Sequence, residues 1–298
     1  MKILKFILAA FLIAACGTGK KADEQAFLET LDSEAEGAVG SEEAIAEILQ
    51  QIPSPLEIAV LLKESGKKYD ADLLNSADNL TKYNTNFKRA LNLGVYGADL
   101  GYTNIYEQNQ DGLKYITSIK ALAEGLNIGQ FFDMETIGRL ATNSKNLDSL
   151  LLITTQNFNS INHYLQNQGR ANLSVLLLTG GWLEAVHIMC NVAASDPSNK
   201  ILQEKVGEQK IIFNNIHSLL SFYKESDPNV ASLLQDMDQL KNVFDRVNIT
   251  YTYKESTFEI VNGVMMIKDN STTTIDITPE VVEEVRTVTQ SVRNKIIS

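Results

Sequence analysis

Residues 172–194, Asn-Leu-Ser-Val-Leu-Leu-Leu-Thr-Gly-Gly-Trp-Leu-Glu-Ala-Val-His-Ile-Met-Cys-Asn-Val-Ala-Ala, are apolar on every side of a helix. A surface helix keeps one polar face; this segment has none, so it predicts a helix at the centre of a larger body. The same run is long enough to cross a bilayer. Glu184 and His187 near its middle argue against that, because charged groups at mid-membrane are expensive. A chain with such a segment must supply other helices to wrap it.

The flanking sequence supplies them. Ser54-Pro55-Leu56-Glu57 reads as a helix start, with the helix running to Gly66. Helical spacing extends from Glu42 to Ile52, from Asn84 to about Gln108, from Gly112 to Leu126, from Asp133 to Leu140, and over about 146–168. Leu202, Val206, Phe213, Ile216, Leu220 and Tyr223 mark a further stripe, and Asp227-Pro228 caps a helix carrying Val230, Leu233, Leu234, Met237, Leu240, Phe244 and Val247. The period then changes. Ile249, Tyr251 and Tyr253 alternate, and Phe258–Val261 meets Val264–Ile267 across Asn262-Gly263, a strong hairpin signal. Ile275 and Ile277 alternate in another strand, after which Thr278-Pro279 opens a helix with Val281, Val285, Val288, Val292 and Ile296 on one stripe. The fold class expected is mainly α: a multi-helix bundle or array, a small antiparallel β element at about 248–278, and a C-terminal helix.

The N-terminus carries a different kind of information. Lys2 and Lys5 flank a short apolar run that stops at Cys16, the layout of a secretory signal peptide. Leu12-Ile13-Ala14-Ala15-Cys16 resembles the lipobox of bacterial lipoproteins. The resemblance implies cleavage before Cys16, diacylglycerol on Cys16, and a membrane-held mature chain. The organisation expected is a leader at 1–15, a lipidated tether at 16–40 and a single helical domain at 41–298. Gly17 stands where an aspartate would imply inner-membrane retention, so the expected address is the outer membrane. General helical character is similar to that of helical envelope lipoproteins.

Net charge narrows the partners. The chain carries −11, and losing Lys2 and Lys5 with the leader makes it more acidic still. Phosphate contacts need clustered Lys and Arg, so nucleic acid is not an expected partner. Anionic lipid is not attracted either; the anchor alone should hold the membrane. With Cys16 acylated, Cys190 has no disulfide partner and reads as a small buried hydrophobe.

Two clusters could carry chemistry. Gly94, Gly97 and Gly101 fall on one side of a helix that also holds Tyr96, Asp99 and Tyr102; the groove they predict admits another helix in tight packing or, as the alternative, forms a ligand-facing wall. Gly180-Gly181-Trp182 interrupts the central helix, followed by Glu184 and His187 on one helical face. A buried Glu184 requires a partner, for which His187 or Asp99 suffices. Tyr96, Asp99, Tyr102, Trp182, Glu184 and His187 are thus the candidate ligand-binding residues. Glu-x-x-His occurs in di-iron bundles, but no second copy exists and the histidines are three: His163, His187 and His217. No metal site or cofactor is expected. Nucleophile elbow, Walker loop, His-Glu-x-x-His and Cys-x-x-Cys are all missing. The functional expectation is an envelope component that binds a partner protein or small ligand without catalysis. The alternative is a metal-dependent enzyme using Glu184 and His187 with Asp99.

Overall fold

The apolar segment forms one 24-residue helix, Ala171–Ala194, and its neighbours are arranged by what that helix must bury. The computed structural model describes residue 48 and residues 55–64, 66–142, 146–261, 264–268 and 270–298. The leader, Cys16, the tether and the expected helix at 42–52 lie outside these residues, apart from Ile48, which is helical.

In chain order the helices are α1 (Pro55–Glu64), α2 (Asn86–Ile105), α3 (Asn109–Gly125), α4 (Met134–Thr142), α5 (Leu147–Asn167), α6 (Ala171–Ala194), α7 (Lys200–Tyr223) and α8 (Pro228–Phe244). Strands β1 (Asn248–Thr252), β2 (Thr257–Val261), β3 (Val264–Lys268) and β4 (Thr272–Asp276) precede α9 (Pro279–Ile297). The chain is mainly helical, with a small antiparallel β region before a C-terminal helix, as its patterning predicts. Residues Ala46–Ser298 form one compact unit.

Local chemistry explains the boundaries. The side chains of Thr85, Asn146, Asn199, Asp227 and Thr278 each accept a hydrogen bond from the first turn of α2, α5, α7, α8 and α9 respectively. Pro228 and Pro279 occupy first-turn positions, where a missing N–H is harmless. One expectation needs adjustment: the helix predicted from Asn84 to about Gln108 is shorter. It stops at Ile105, Glu107 turns left-handed (φ 58°), and α3 begins at Asn109 rather than Gly112.

α6 is long and apolar enough for a bilayer, yet 94% of its apolar window is buried inside the body. Its most extensive neighbour is α2, with α9, α7, α1 and α5 completing the sheath. The α2–α6 crossing is a backbone contact. A Cβ on Gly94 would lie 1.9 Å from the Leu177 carbonyl oxygen, and one on Gly180 would lie 1.9 Å from that of Leu91. No side chain fits, so glycine here sets the interhelical distance. Gly97 is different: it is exposed, with nothing within 4 Å of its would-be Cβ. The close helix packing expected of these glycines is met at Gly94 and Gly180, whereas Gly97 faces open space.

α8 buries its whole predicted stripe from Val230 to Val247 against α7 and α9. Between α1 and α2 lies a strap, residues 66–85, that sequence patterning did not identify. It contains two 3₁₀ turns, Ala71–Leu73 and Ala77–Lys82, capped by Asp70 and Ser76.

The β region is a hairpin-shaped arm. β1 pairs with β4, Ile249 opposite Ile275, and further along β2 pairs with β3, Phe258 opposite Ile267 and Val261 opposite Val264. The turn expected at Asn262-Gly263 lies outside the described residues. The arm's root is fixed to α7. Gly207 leaves room for Ile275, Val247 and Ile277, and Lys210 Nζ donates to the Val247 carbonyl at 2.7 Å.

Candidate functional site

The candidate residues from α2 and α6 meet because the glycine crossing brings the two backbones together. Asp99 lies just over one turn beyond Gly94, and Glu184 one turn beyond Gly180. Both carboxyl groups point into the sealed interior, each 0% exposed. Burial of a carboxylate demands a counter-charge, and the partner is Arg293 on α9. Its Nε and Nη2 donate to Glu184 Oε2 and Oε1 at 2.5 and 2.6 Å. This fork satisfies both Glu184 oxygens in the bidentate geometry that suits guanidinium. The counter-charge is thus Arg293 and not His187, while Asp99, the other expected partner, lies beside Glu184 in the same unit.

Arg293 supplies one positive charge to two carboxyl groups. Burial and the negative charge of Glu184 push the Asp99 carboxyl well above its ordinary range. Asp99 Oδ2 accepts from the Asn75 backbone N–H at 3.3 Å, whereas Oδ1 has no donor. A proton on Asp99 resolves both problems: it removes the surplus charge, and it turns repulsion from Glu184 into a hydrogen bond. With that proton in place the unit carries no surplus charge. Burial alone would lower the Arg293 pKa, but Glu184 outweighs it and holds the guanidinium above its usual value.

The strap closes over this unit. Arg293 Nη2 also donates to the Leu73 carbonyl at 3.1 Å. Tyr115 and Tyr96 donate to the carbonyls of Asn75 and Ser76 at 3.0 and 2.9 Å. The hydroxyl of Tyr102 accepts from the Asp70 N–H at 3.2 Å. Asn75 Nδ2 donates to the Tyr83 hydroxyl at 3.0 Å. A loop pressed against a core exposes backbone groups that need partners; here tyrosines from α2 and α3 provide them. Burial raises the hydroxyl pKa of Tyr96, Tyr102 and Tyr115, so these phenols stay protonated, and Tyr96 and Tyr115 serve as donors.

His187 lies at the edge of the same layer, 4% exposed. Burial, then the positive charge of Arg293, pushes its pKa down to about 3, so the ring is neutral. Its Nδ1 faces the Asn191 amide at 3.3 Å, and the ring also hydrogen-bonds the Leu73 carbonyl. Asn191 Oδ1 in turn accepts from Arg286 Nη1 at 3.4 Å.

Trp182 is not part of this cluster. Its Nε1 donates to Gln209 Oε1 on α7 at 3.0 Å, and its ring packs beside Phe213. Five of the six candidates on α2 and α6 therefore converge, and the sixth points to the opposite side of α6. Sequence reasoning did not identify Arg293, Asn75 or Tyr115. The one signal for Arg293 was the demand of Glu184 for a cation, which spacing along α9 does not locate.

Chemically the cluster is occupied by itself. A metal at Glu184 would have to displace a bidentate guanidinium. Among the described residues no group of three or more His, Cys, Asp or Glu is placed to hold an ion. Cys190, fully buried, has its thiol pKa raised by burial, opposite to what a nucleophile needs.

Exposed large apolar side chains lie elsewhere: Leu113, Leu152, Ile201 and Ile211 stand on α3, α5 and α7, and the remainder among the described residues are on the arm. Phe258, Met265, Met266 and Ile267 are between 53% and 70% exposed. Tyr251 and Tyr253 nearer the root are exposed as well. Phe258 and Ile267 are register partners, and Met265 lies two positions from Ile267, so these three share one face; Met266 is on the other.

No family model, no curated protein and no solved structure matches this chain.

Proposed function

We propose that this chain is a lipid-anchored, non-catalytic binding protein of the bacterial cell envelope, held at the outer membrane through Cys16, and that its contact element is the β-arm. The observation that carries the reading is the cluster of large apolar side chains left in water at Phe258, Met265, Met266 and Ile267. Fully burying such a side chain is worth roughly 1.5–3 kcal/mol, so at these exposures the four together withhold about 4–8 kcal/mol until something covers them. Phe258, Met265 and Ile267 share one face of the arm, and exposed apolar patches of this kind mark interaction sites. The buried Asp99–Glu184–Arg293 unit supports the same reading from the other direction, because its polar groups are engaged with one another and with the strap. It acts as a pin that ties α2, α6, α9 and the strap into one body. The Leu12–Cys16 motif supports the address, and the acidic net charge of −11 accords with a partner other than nucleic acid.

The test uses the full-length protein, extracted from membranes in mild detergent. The wild type should sediment as a complex larger than the lone chain after correction for bound detergent. The double variant Phe258→Ser, Ile267→Ser should sediment as the lone chain, with an unchanged helical melting curve. A wild type that sediments alone, or a complex indifferent to both substitutions, overturns the reading.

A further inference from the structure

The arm's backbone restricts what can cover it, and this restriction names the class of partner, resting on the reading just given. Among the described residues β2 and β3 pair only with each other, so each presents an outer edge with no described strand beside it. An isolated two-stranded ladder is marginal in water.

Three occupants are conceivable, and physical chemistry ranks them. A bilayer would bury the apolar side chains, but it would also carry two open strand edges into hydrocarbon. Open edges do not occur there, since every unpaired backbone group is heavily penalised. A second copy meeting face to face buries too little. The three side chains on one face expose on the order of 400 Å², so two copies meeting there bury about 800 Å² in all, short of the roughly 1,200–2,000 Å² of a stable interface. Each copy also carries −11, which favours separation. An extended segment of another polypeptide satisfies both needs at once, pairing with an edge and covering the apolar face.

The two edges are unequal. β2 carries Glu259 at its centre, a charge of the kind that blunts exposed edges. β3 runs Val264-Met265-Met266-Ile267 with no charge before Lys268. The arm as a whole, residues 248–276, has two lysines against four acidic residues.

We infer that β3 receives an extended segment of a partner protein as an added strand, with alternate apolar side chains of that segment against Met265 and Ile267 and basic residues at its flanks. Main-chain hydrogen bonds along β3 would supply affinity, and contact with the side chains of Phe258, Met265 and Ile267 would supply preference.

The experiment uses the full chain and three probes. The first is a peptide, Lys-Thr-Val-Thr-Val-Thr-Val-Lys, and the second is the same peptide N-methylated at every second residue, which cannot pair along an edge. The third is a vesicle of phosphatidylcholine and phosphatidylethanolamine. The plain peptide should bind and slow amide exchange of residues 264–268 by at least about tenfold, a shift of one decade in the opening equilibrium. The N-methylated peptide and the vesicle should not bind, and Phe258→Ser with Ile267→Ser should weaken the plain peptide by about tenfold or more. Equal binding of both peptides, lost in the double variant, overturns strand addition but leaves the arm as a contact surface. Vesicle binding without peptide binding, or a dimer in sedimentation that the double variant abolishes, overturns strand addition in favour of a bilayer or a second copy. No binding of any probe overturns it as well.

Discussion

Glu184, Asp99 and Arg293 make a prediction in which two carboxyl groups a short distance apart respond oppositely to the same chemical change. Glu184→Gln removes the charge that Arg293 is held against. The guanidinium then remains in an interior site with its fork unpaired, and breaking a buried pair in this way costs about 3–5 kcal/mol. A domain of this kind has about 5–15 kcal/mol in total, so the loss is a large fraction. Asp99→Asn should cost under about 1 kcal/mol, because a protonated acid and an amide both donate to Glu184 and neither carries charge. The sign with pH follows from linkage. Burial and Glu184 raise the folded pKa of Asp99, so the folded state keeps a proton that the unfolded chain releases above about pH 4. Stability held by that proton is complete below the unfolded value and drains away as pH rises toward the folded one. Asparagine has no such proton, so Asp99→Asn should gain on the wild type steadily from pH 4 upward. Urea unfolding followed by far-ultraviolet circular dichroism, and by fluorescence of the single buried tryptophan Trp182, measures all of this. The reasoning is refuted if Asp99→Asn is as damaging as Glu184→Gln at neutral pH, or if the gap between Asp99→Asn and wild type does not widen with pH.

His187 should make the fold acid-sensitive in the reverse direction. Its folded pKa of about 3 lies below the unfolded value near 6.5, so protonation of the unfolded chain withdraws about 2–3 kcal/mol between pH 7 and pH 4.5; His187→Gln should abolish that share of the acid-induced drop in a urea series. At the helix crossing, Gly94→Ala and Gly180→Ala should each cost more than about 3 kcal/mol, since a methyl group would press on opposing backbone. Gly97→Ala, on the same helix but facing open space, should stabilise by roughly 0.5–1 kcal/mol in thermal melts. Cys16→Ser should release the protein from membranes and eliminate incorporation of labelled palmitate, whereas unchanged membrane fractionation would contradict the anchor.

How much of this was legible depends on the kind of signal each element carries. α8 was readable throughout, because Asp227-Pro228 marks its start and every residue of the predicted stripe from Val230 to Val247 is buried. The hairpin was readable because Asn-Gly between two β-prone runs is a local signal, and the register places Val261 opposite Val264 as that turn demands. The strap at 66–85 was not readable. Its 3₁₀ turns have no apolar period, and it is held by distant tyrosines donating to its carbonyls, contacts that local patterning cannot express. Gly94, Gly97 and Gly101 look alike in sequence, yet only a facing helix distinguishes Gly94 from Gly97. Spacing correctly brought Tyr96, Asp99, Tyr102, Glu184 and His187 together, but not what they do. A buried polar group in a sequence reads equally well as a ligand site or as a core pin. The deciding residue, Arg293, lies more than a hundred positions from Glu184. Trp182 was drawn in by adjacency to Glu184, although two positions on a helix turn a side chain through about 200°.

The central claim divides the molecule into a self-sufficient helical body and an arm that works on something else. Replacing residues 253–271 with a short Gly-Ser turn tests that division in one sample. The account predicts a thermal midpoint within about 2 °C of the wild type together with complete loss of the larger sedimenting species. A midpoint lowered by about 10 °C or more, or a complex that survives without the arm, would contradict it.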